Sequence, residues 1–257
     1  MQKTVLALAA ALAASTLPGI AQAADEPAAS PLSFNAGAVT DYRYRGISQS
    51  RLKPAISGGA DYALASGLYV GTWASTISWI KDAGKIAGID SGNTAFEWDL
   101  YGGYKGDIAK DFSYDVGGLY YLYVGNKYGD IPGAANANTF ELYGALTYGV
   151  VTAKYSRSLT DLFGFGDSKG SAYFEIAAAI DLGSGWSLTP HYGHQAVKNF
   201  SAANYNDYSL TIGKDLGNGI SLSAAAVGTD ADKSGYVTPD GKFTGKNALV
   251  VGAKYSF

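Results

Sequence analysis

Polarity alternates with a period of two along segment after segment from residue 32 to residue 257, and this pattern limits the possible folds more than any other feature of the chain. The clearest segment runs from 94 to 105, where Phe96, Trp98, Leu100, Gly102 and Tyr104 alternate with Glu97, Asp99, Tyr101 and Gly103. In an extended strand the two sets point to opposite faces, so one face is apolar and aromatic while the other carries carboxylates. The same reading predicts strands at 32–44, 55–64, 68–77, 112–123, 139–148, 150–157, 171–182, 186–193, 205–214, 220–228 and 247–257.

The connections between these segments alternate in length. Short turns fall near Ala65, Asp107, Gly149, Ser184 and Gly217, and longer stretches occupy 46–54, 78–93, 124–138, 159–170, 194–204 and 229–246. No stretch has the roughly 20 apolar residues of a spanning helix. A membrane crossing would therefore need a closed sheet, because open strand edges leave backbone groups unpaired in lipid. The expected fold is all-β: a closed antiparallel transmembrane β-barrel of about 12 strands, with short periplasmic turns and longer extracellular loops. The 34 Gly and 20 Tyr suit tight turns and interfacial aromatic girdles, and the absence of Cys excludes disulfides and thiolate chemistry. A formal net charge of −3 excludes a strongly basic nucleic-acid binder.

Lys3, the apolar run from Thr4 to Ala14 and the small-residue site Ala21-Gln22-Ala23 predict a signal peptide over 1–23, cleaved after Ala23. A short leader (24–31) and the barrel (32–257) follow. The inward register places Asp41, Arg43, Arg45, Glu97, Asp99, Asp115, Glu141, Lys154, Glu175, His191 and Lys254 towards a lumen. The opposite face would cost about 2 to 4 kcal/mol for each Arg or Lys at mid-membrane. Such groups either select solutes by charge or fill and rigidify the barrel as ion pairs. At the outer end of the first strand Arg45, Arg51 and Lys53, beside Ser48, Gln49 and Ser50, form a candidate rim site for anions or lipopolysaccharide phosphates.

Tyr42, Tyr44, Tyr62, Trp73, Trp98, Tyr104, Phe112, Tyr114, Tyr148, Trp186, Tyr255 and Phe257 read as interfacial girdles, and Tyr101, Tyr121, Tyr143 and Tyr173 as space-filling lumen residues. Leu162, Phe163 and Phe165 make the 159–170 loop apolar enough to cap a pore or contact a neighbouring subunit. Asp230-x-Asp232-x-Ser234-Gly235 matches the first half of a calcium loop, but Gly241 replaces the bidentate Glu, so no metal is expected. His191 and His194 are the only histidines. Asp161, His194 and Asp207 could meet at the outer rim, but no fixed spacing demands it, so no enzyme activity and no cofactor are expected.

The final strand, N-A-L-V-V-G-A-K-Y-S-F, ends on Phe257 and resembles the closing strand of Gram-negative outer-membrane barrels. That resemblance implies recognition by the barrel-assembly machinery and pairing with the first strand, which would bring Lys254 to the wall of Asn35, Asp41, Arg43 and Arg45. The run D-Y-R-Y-R-G-I-S-Q-S (Asp41 to Ser50), Pro54, G-G-A-D-Y (Gly58 to Tyr62), G-L-Y-V-G-T-W-A-S (Gly67 to Ser75) and E-W-D-L-Y-G-G-Y (Glu97 to Tyr104) resemble the TorF family of small proteobacterial porins. The resemblance implies an outer-membrane barrel that passes small hydrophilic solutes by passive diffusion. The alternative is a non-conducting barrel serving as envelope scaffold or surface-binding protein.

Overall fold

The computed structural model describes residues 31–257; the expected signal peptide and all of the leader except Pro31 lie outside them. Twelve antiparallel strands close into one barrel. They are β1 (Leu32–Val39), β2 (Ala55–Ala63), β3 (Leu68–Thr76), β4 (Phe96–Ala109), β5 (Phe112–Leu122) and β6 (Thr139–Tyr148). The second half comprises β7 (Val151–Ser158), β8 (Ala172–Ala178, continuing as Ile180–Gly183), β9 (Trp186–Ala196), β10 (Tyr205–Gly217), β11 (Ile220–Thr229) and β12 (Ala248–Ser256).

Every strand pairs with its sequence neighbours, and β12 pairs with β1 to remove the last free edge. At that seam the Phe34 amide donates to the Phe257 carbonyl (2.8 Å) and the Phe257 amide to the Phe34 carbonyl (3.0 Å), while the two rings stack at 5.7 Å. Lys254 sits opposite Gly37.

The outward set is a belt of exposed apolar side chains, among them Ile56, Val70, Leu100, Leu142, Leu146, Ile176, Leu210, Leu222 and Leu249. Water would not tolerate so continuous an apolar band, whereas lipid solvates it. The buried residues are instead largely polar and line the interior, an arrangement inverted relative to a soluble domain.

Short turns force left-handed backbone. Gly67 has φ of +96°, and a Cβ there would come within 2.2 Å of the Lys105 carbonyl. Gly67→Ala should therefore destabilise the barrel by about 1 to 3 kcal/mol, measured by urea unfolding in phospholipid vesicles.

Two local features depart from the sequence expectations. The 78–93 stretch contains an α-helix, α1 (Trp79–Ala87), which ends at Gly88 in the left-handed conformation, its amide turned back to the Gly84 and Lys85 carbonyls. Helix-interior Gly84 lets the Ser91 side chain approach to where a Cβ would lie 2.2 Å away.

The first strand also ends early. The chain leaves the wall after Val39, which pairs with Ala55, so the alternation expected over 32–44 stops there. Tyr42 and Tyr44 are therefore not girdle residues but are buried inside the barrel.

Candidate functional site

Beyond Thr40 the chain folds into the lumen as a tight hairpin. Arg43–Tyr44 pairs with Ile47–Ser48, and Arg45 (φ +47°) and Gly46 (φ +78°) form the two-residue turn, both left-handed as such a turn requires. Its base is fixed by Asp41, which accepts from Arg43 Nε (2.6 Å) and Ser48 Oγ (2.5 Å). Arg43 also donates to the Gly46 and Thr244 carbonyls, both at 2.9 Å.

The hairpin crosses the barrel. Arg45 Nη2 donates to Glu141 Oε2 at 2.8 Å and Nη1 to Gln195 Oε1 at 2.7 Å. Glu141 lies on β6, five strands round the twelve-strand barrel from β1. The Arg45 guanidinium is sandwiched between the Tyr173 ring (4.2 Å) and the Tyr44 ring (4.8 Å). Tyr44 in turn shares a hydrogen bond with Tyr121 (2.7 Å), and Phe163 packs edge-on against both. Loop residues Leu162 and Phe163 therefore turn into the barrel mouth and close around the hairpin.

Beside this plug, Glu97 accepts from the hydroxyls of Tyr42 and Tyr123, the latter at 2.5 Å. Asp99 is 1 % exposed and neither of its oxygens has a partner among the described residues. Nearer the periplasmic end Tyr101 donates to Asp61 (2.6 Å), and Tyr69 donates to Asp115 (2.6 Å) and is hydrogen-bonded to Tyr143.

The other half of the wall carries a mixed cluster. His191 contacts Glu175 (3.2 Å) and Asp207 (3.6 Å), and Tyr173 donates to Asp207 (2.9 Å). Lys154 lies opposite Glu175 in register and over the Tyr143 ring at 4.3 Å. Lys254 is half-buried next to Ser221 and Gly37.

Asp61, Tyr69 and Gln195 join this interior although the sequence reading does not single them out, and Asp207 joins them although the sequence reading considers it only for the outer rim. Their signal was present: Asp61 alternates with outward Tyr62, and Asp207 with outward Tyr208 and Leu210.

Three expectations need correction. Arg45 is expected both towards the lumen and as a rim contact, and the rim role fails: at 6 % exposure it is sequestered by Glu141 and cannot reach lipid headgroups. Arg51 makes two hydrogen bonds to Asp82 of α1, leaving Lys53 as the exposed cation of that group. Lys254 does not share a wall with Asp41, Arg43 and Arg45, because those three leave the wall before reaching it.

Asp161, His194 and Asp207 do not meet. His194 faces outward against Asn206 (2.8 Å), Asp161 caps the amides of Ser168 and Lys169, and Asp207 points into the lumen. Asp232 accepts from Ser234, and among the described residues no carboxylate and histidine group has metal-site geometry.

Above the hairpin, at the end of the long loops, lies a cavity of about 400 Å³. Its walls come from the hairpin, α1 and the loops after β5, β7, β9 and β11.

Two solved structures share the architecture. The KdgM porin matches with a TM-score of 0.54 at 7% identity, over 88% of this chain and 99% of that one. The KdgM porin in complex with disordered oligogalacturonate matches with a TM-score of 0.52 at 6% identity, over 88% of this chain and 98% of that one. At such identity the likeness is one of fold, that of outer-membrane porins. None of the curated proteins compared matches the chain. The model of the family described as "Bacterial protein of unknown function (Gcw_chp)" matches residues 23–257, and a barrel built almost entirely from that matched segment belongs to the Gcw_chp family.

Proposed function

We propose that this protein is a porin-like outer-membrane channel for passive diffusion of small hydrophilic solutes, with a lumen narrowed by its own first loop. The observation that carries the reading is the polarity of the barrel: an apolar belt outside, and charged and Tyr side chains on the inside of nearly every strand. A barrel of eight strands is filled by side chains and one of about sixteen leaves an aqueous channel, so twelve strands with one inward hairpin suit a narrow path. The sequence likeness to TorF-family porins agrees with this assignment. The closing aromatic strand is the element offered to the assembly machinery, and Lys53 is the rim cation available to lipopolysaccharide.

The lumen is unevenly charged. Asp61, Glu97, Asp99 and Asp115 stand on the contiguous strands β2 to β5 with one cation, Lys105, opposite Asp115, and Glu141 on β6 is paired with Arg45; the opposite half mixes Lys154, His191 and Lys254 with Glu175 and Asp207. The carboxylate excess favours cations. Reconstituted in planar bilayers, the protein should give discrete current steps, with a reversal potential under a KCl gradient of the sign of cation preference; Asp115→Asn, at a part-exposed lumen carboxylate, should reduce that potential. Replacing residues 42–50 by a short Gly-Ser linker should raise the unit conductance several-fold.

The density of the hairpin plug also supports a second reading, a non-conducting barrel acting as envelope scaffold or binding surface. Current steps absent from both the full-length and the hairpin-less protein would establish that reading and sink the first.

A further inference from the structure

On the outward positions of the twelve strands, ionisable side chains other than tyrosine occur at three places among the described residues: Arg157, His194 and Lys214. Two of them are answered within the protein. His194 Nδ1 contacts Asn206 Oδ1 at 2.8 Å, and Lys214 Nζ donates to the Ser184 carbonyl at 2.6 Å and lies over the Trp186 ring. The Arg157 side chain has no ion pair and no hydrogen bond among the described residues. It stands at the extracellular end of β7, in register with Leu142 on β6 and Ala172 on β8, and Ala172 in turn faces Ala196 on β9. These small neighbours leave room for its stem along the wall. A Cβ built on Gly170 would lie 3.3 Å from Arg157 Nη2 and 3.8 Å from Lys198 Cδ, so the two cationic side chains converge over that glycine. Lys198 is exposed and likewise in no ion pair among the described residues. Of the two carboxylates in the adjoining loop, Asp161 caps the amides of Ser168 and Lys169, and Asp167 is exposed and pairs with neither cation.

A cation on the lipid-facing wall is penalised most at mid-bilayer and least at the interface, so a long side chain carries its charge towards the headgroups. The surroundings select what meets it there. Leu142, Tyr155, Leu159 and Phe174 are exposed around Arg157 and face the acyl chains. A soluble anion or an acidic protein would have to displace that lipid layer. A lipid brings a phosphate to the same height and lays its chains on the same apolar side chains. The Arg fork receives two phosphate oxygens, and Lys adds a compact second charge.

We propose that Arg157 and Lys198 form a binding site for the phosphate group of an outer-leaflet lipid, held against the outer wall of β7 to β9. The site is distinct from Lys53, which precedes β2. It rests on the outer-membrane placement of the barrel and not on conduction, so its fate and that of the channel are separable.

The test uses the full-length protein folded in detergent micelles, with retained lipid counted by native mass spectrometry. The probes are diphosphoryl lipid A, the same lipid A with its phosphates removed, and inorganic phosphate. Diphosphoryl lipid A should be retained saturably, the dephosphorylated form at least about tenfold more weakly, and millimolar inorganic phosphate should not displace the lipid. Arg157→Gln and Lys198→Gln should each weaken retention roughly three- to tenfold, and the double variant by more than about tenfold. Arg157→Lys keeps the charge without the fork and should fall between the parent and Arg157→Gln. Lys85→Gln removes an equal charge from the exposed side of α1 and should change nothing. Folding of each variant is checked by the heat-dependent gel mobility of the barrel. Absence of saturable retention, equal retention without the phosphates, displacement by millimolar inorganic phosphate, unchanged affinity in the folded double variant, or an equal loss in Lys85→Gln would each overturn the proposal. Lipid A retention without current steps would leave this site standing and remove the channel, and current steps from a protein that retains no lipid A would do the reverse.

Discussion

Replacing Arg45 by Ala should lower the unfolding free energy of the barrel by about 3 to 5 kcal/mol, the usual cost of stranding one partner of a buried ion pair. Glu141 is 2 % exposed, and its Oε1 has no hydrogen-bond partner among the described residues, so losing Arg45 would remove the counter-charge bonded to its carboxylate at the centre of the plug. Tyr173 and Tyr44 would also lose the cation between their rings. The double variant R45M/E141L removes both charges at similar volume and should recover most of the loss, because paired burial is close to neutral against an apolar replacement. Urea unfolding in phospholipid vesicles, followed by Trp fluorescence, measures all three proteins. A single variant as stable as the parent would mean that the hairpin is not held across the lumen.

The second large effect is on the outer face. Leu210→Arg, at the middle of β10 where the side chain is half exposed, should cost about 2 to 4 kcal/mol in vesicles, the penalty of a cation at the bilayer midplane. Ser209→Lys, one residue earlier and turned inward opposite His191, should cost well under half as much. The contrast between adjacent residues reports the period-two register directly, because a strand slipped by one residue would invert the two results.

Strand existence and position were legible because period-two alternation is local: each side chain faces lipid or interior according to its parity, and a turn resets the count. The segment 139–148 read from sequence coincides with β6, and 205–214 with the first ten residues of β10. Helix α1 was less legible. Its nine residues are shorter than the window in which helical periodicity becomes distinct, and Gly84 argues locally against helix. The site was legible by face but not by partner. Alternation puts Glu97, Asp99, Glu141 and Glu175 inside, yet nothing local says that Glu97 receives Tyr42 or that Glu141 receives Arg45, separated from it by 96 residues.

The sequence by itself determined a closed antiparallel barrel, its strand count and, along the strands that stay in the wall, most of the side chains that face lipid, because backbone satisfaction in a bilayer leaves an alternating chain no other way to cross. The hairpin at 43–48 was decided by tertiary structure alone. D-Y-R-Y-R continues the alternation of β1 without a break, and only the closed wall, with Glu141 and Gln195 waiting on the far side and Thr244 at its base, makes turning inward more favourable than extending the strand. The resulting cross-brace, and the cavity it floors, follow from contacts between strands five apart round the barrel.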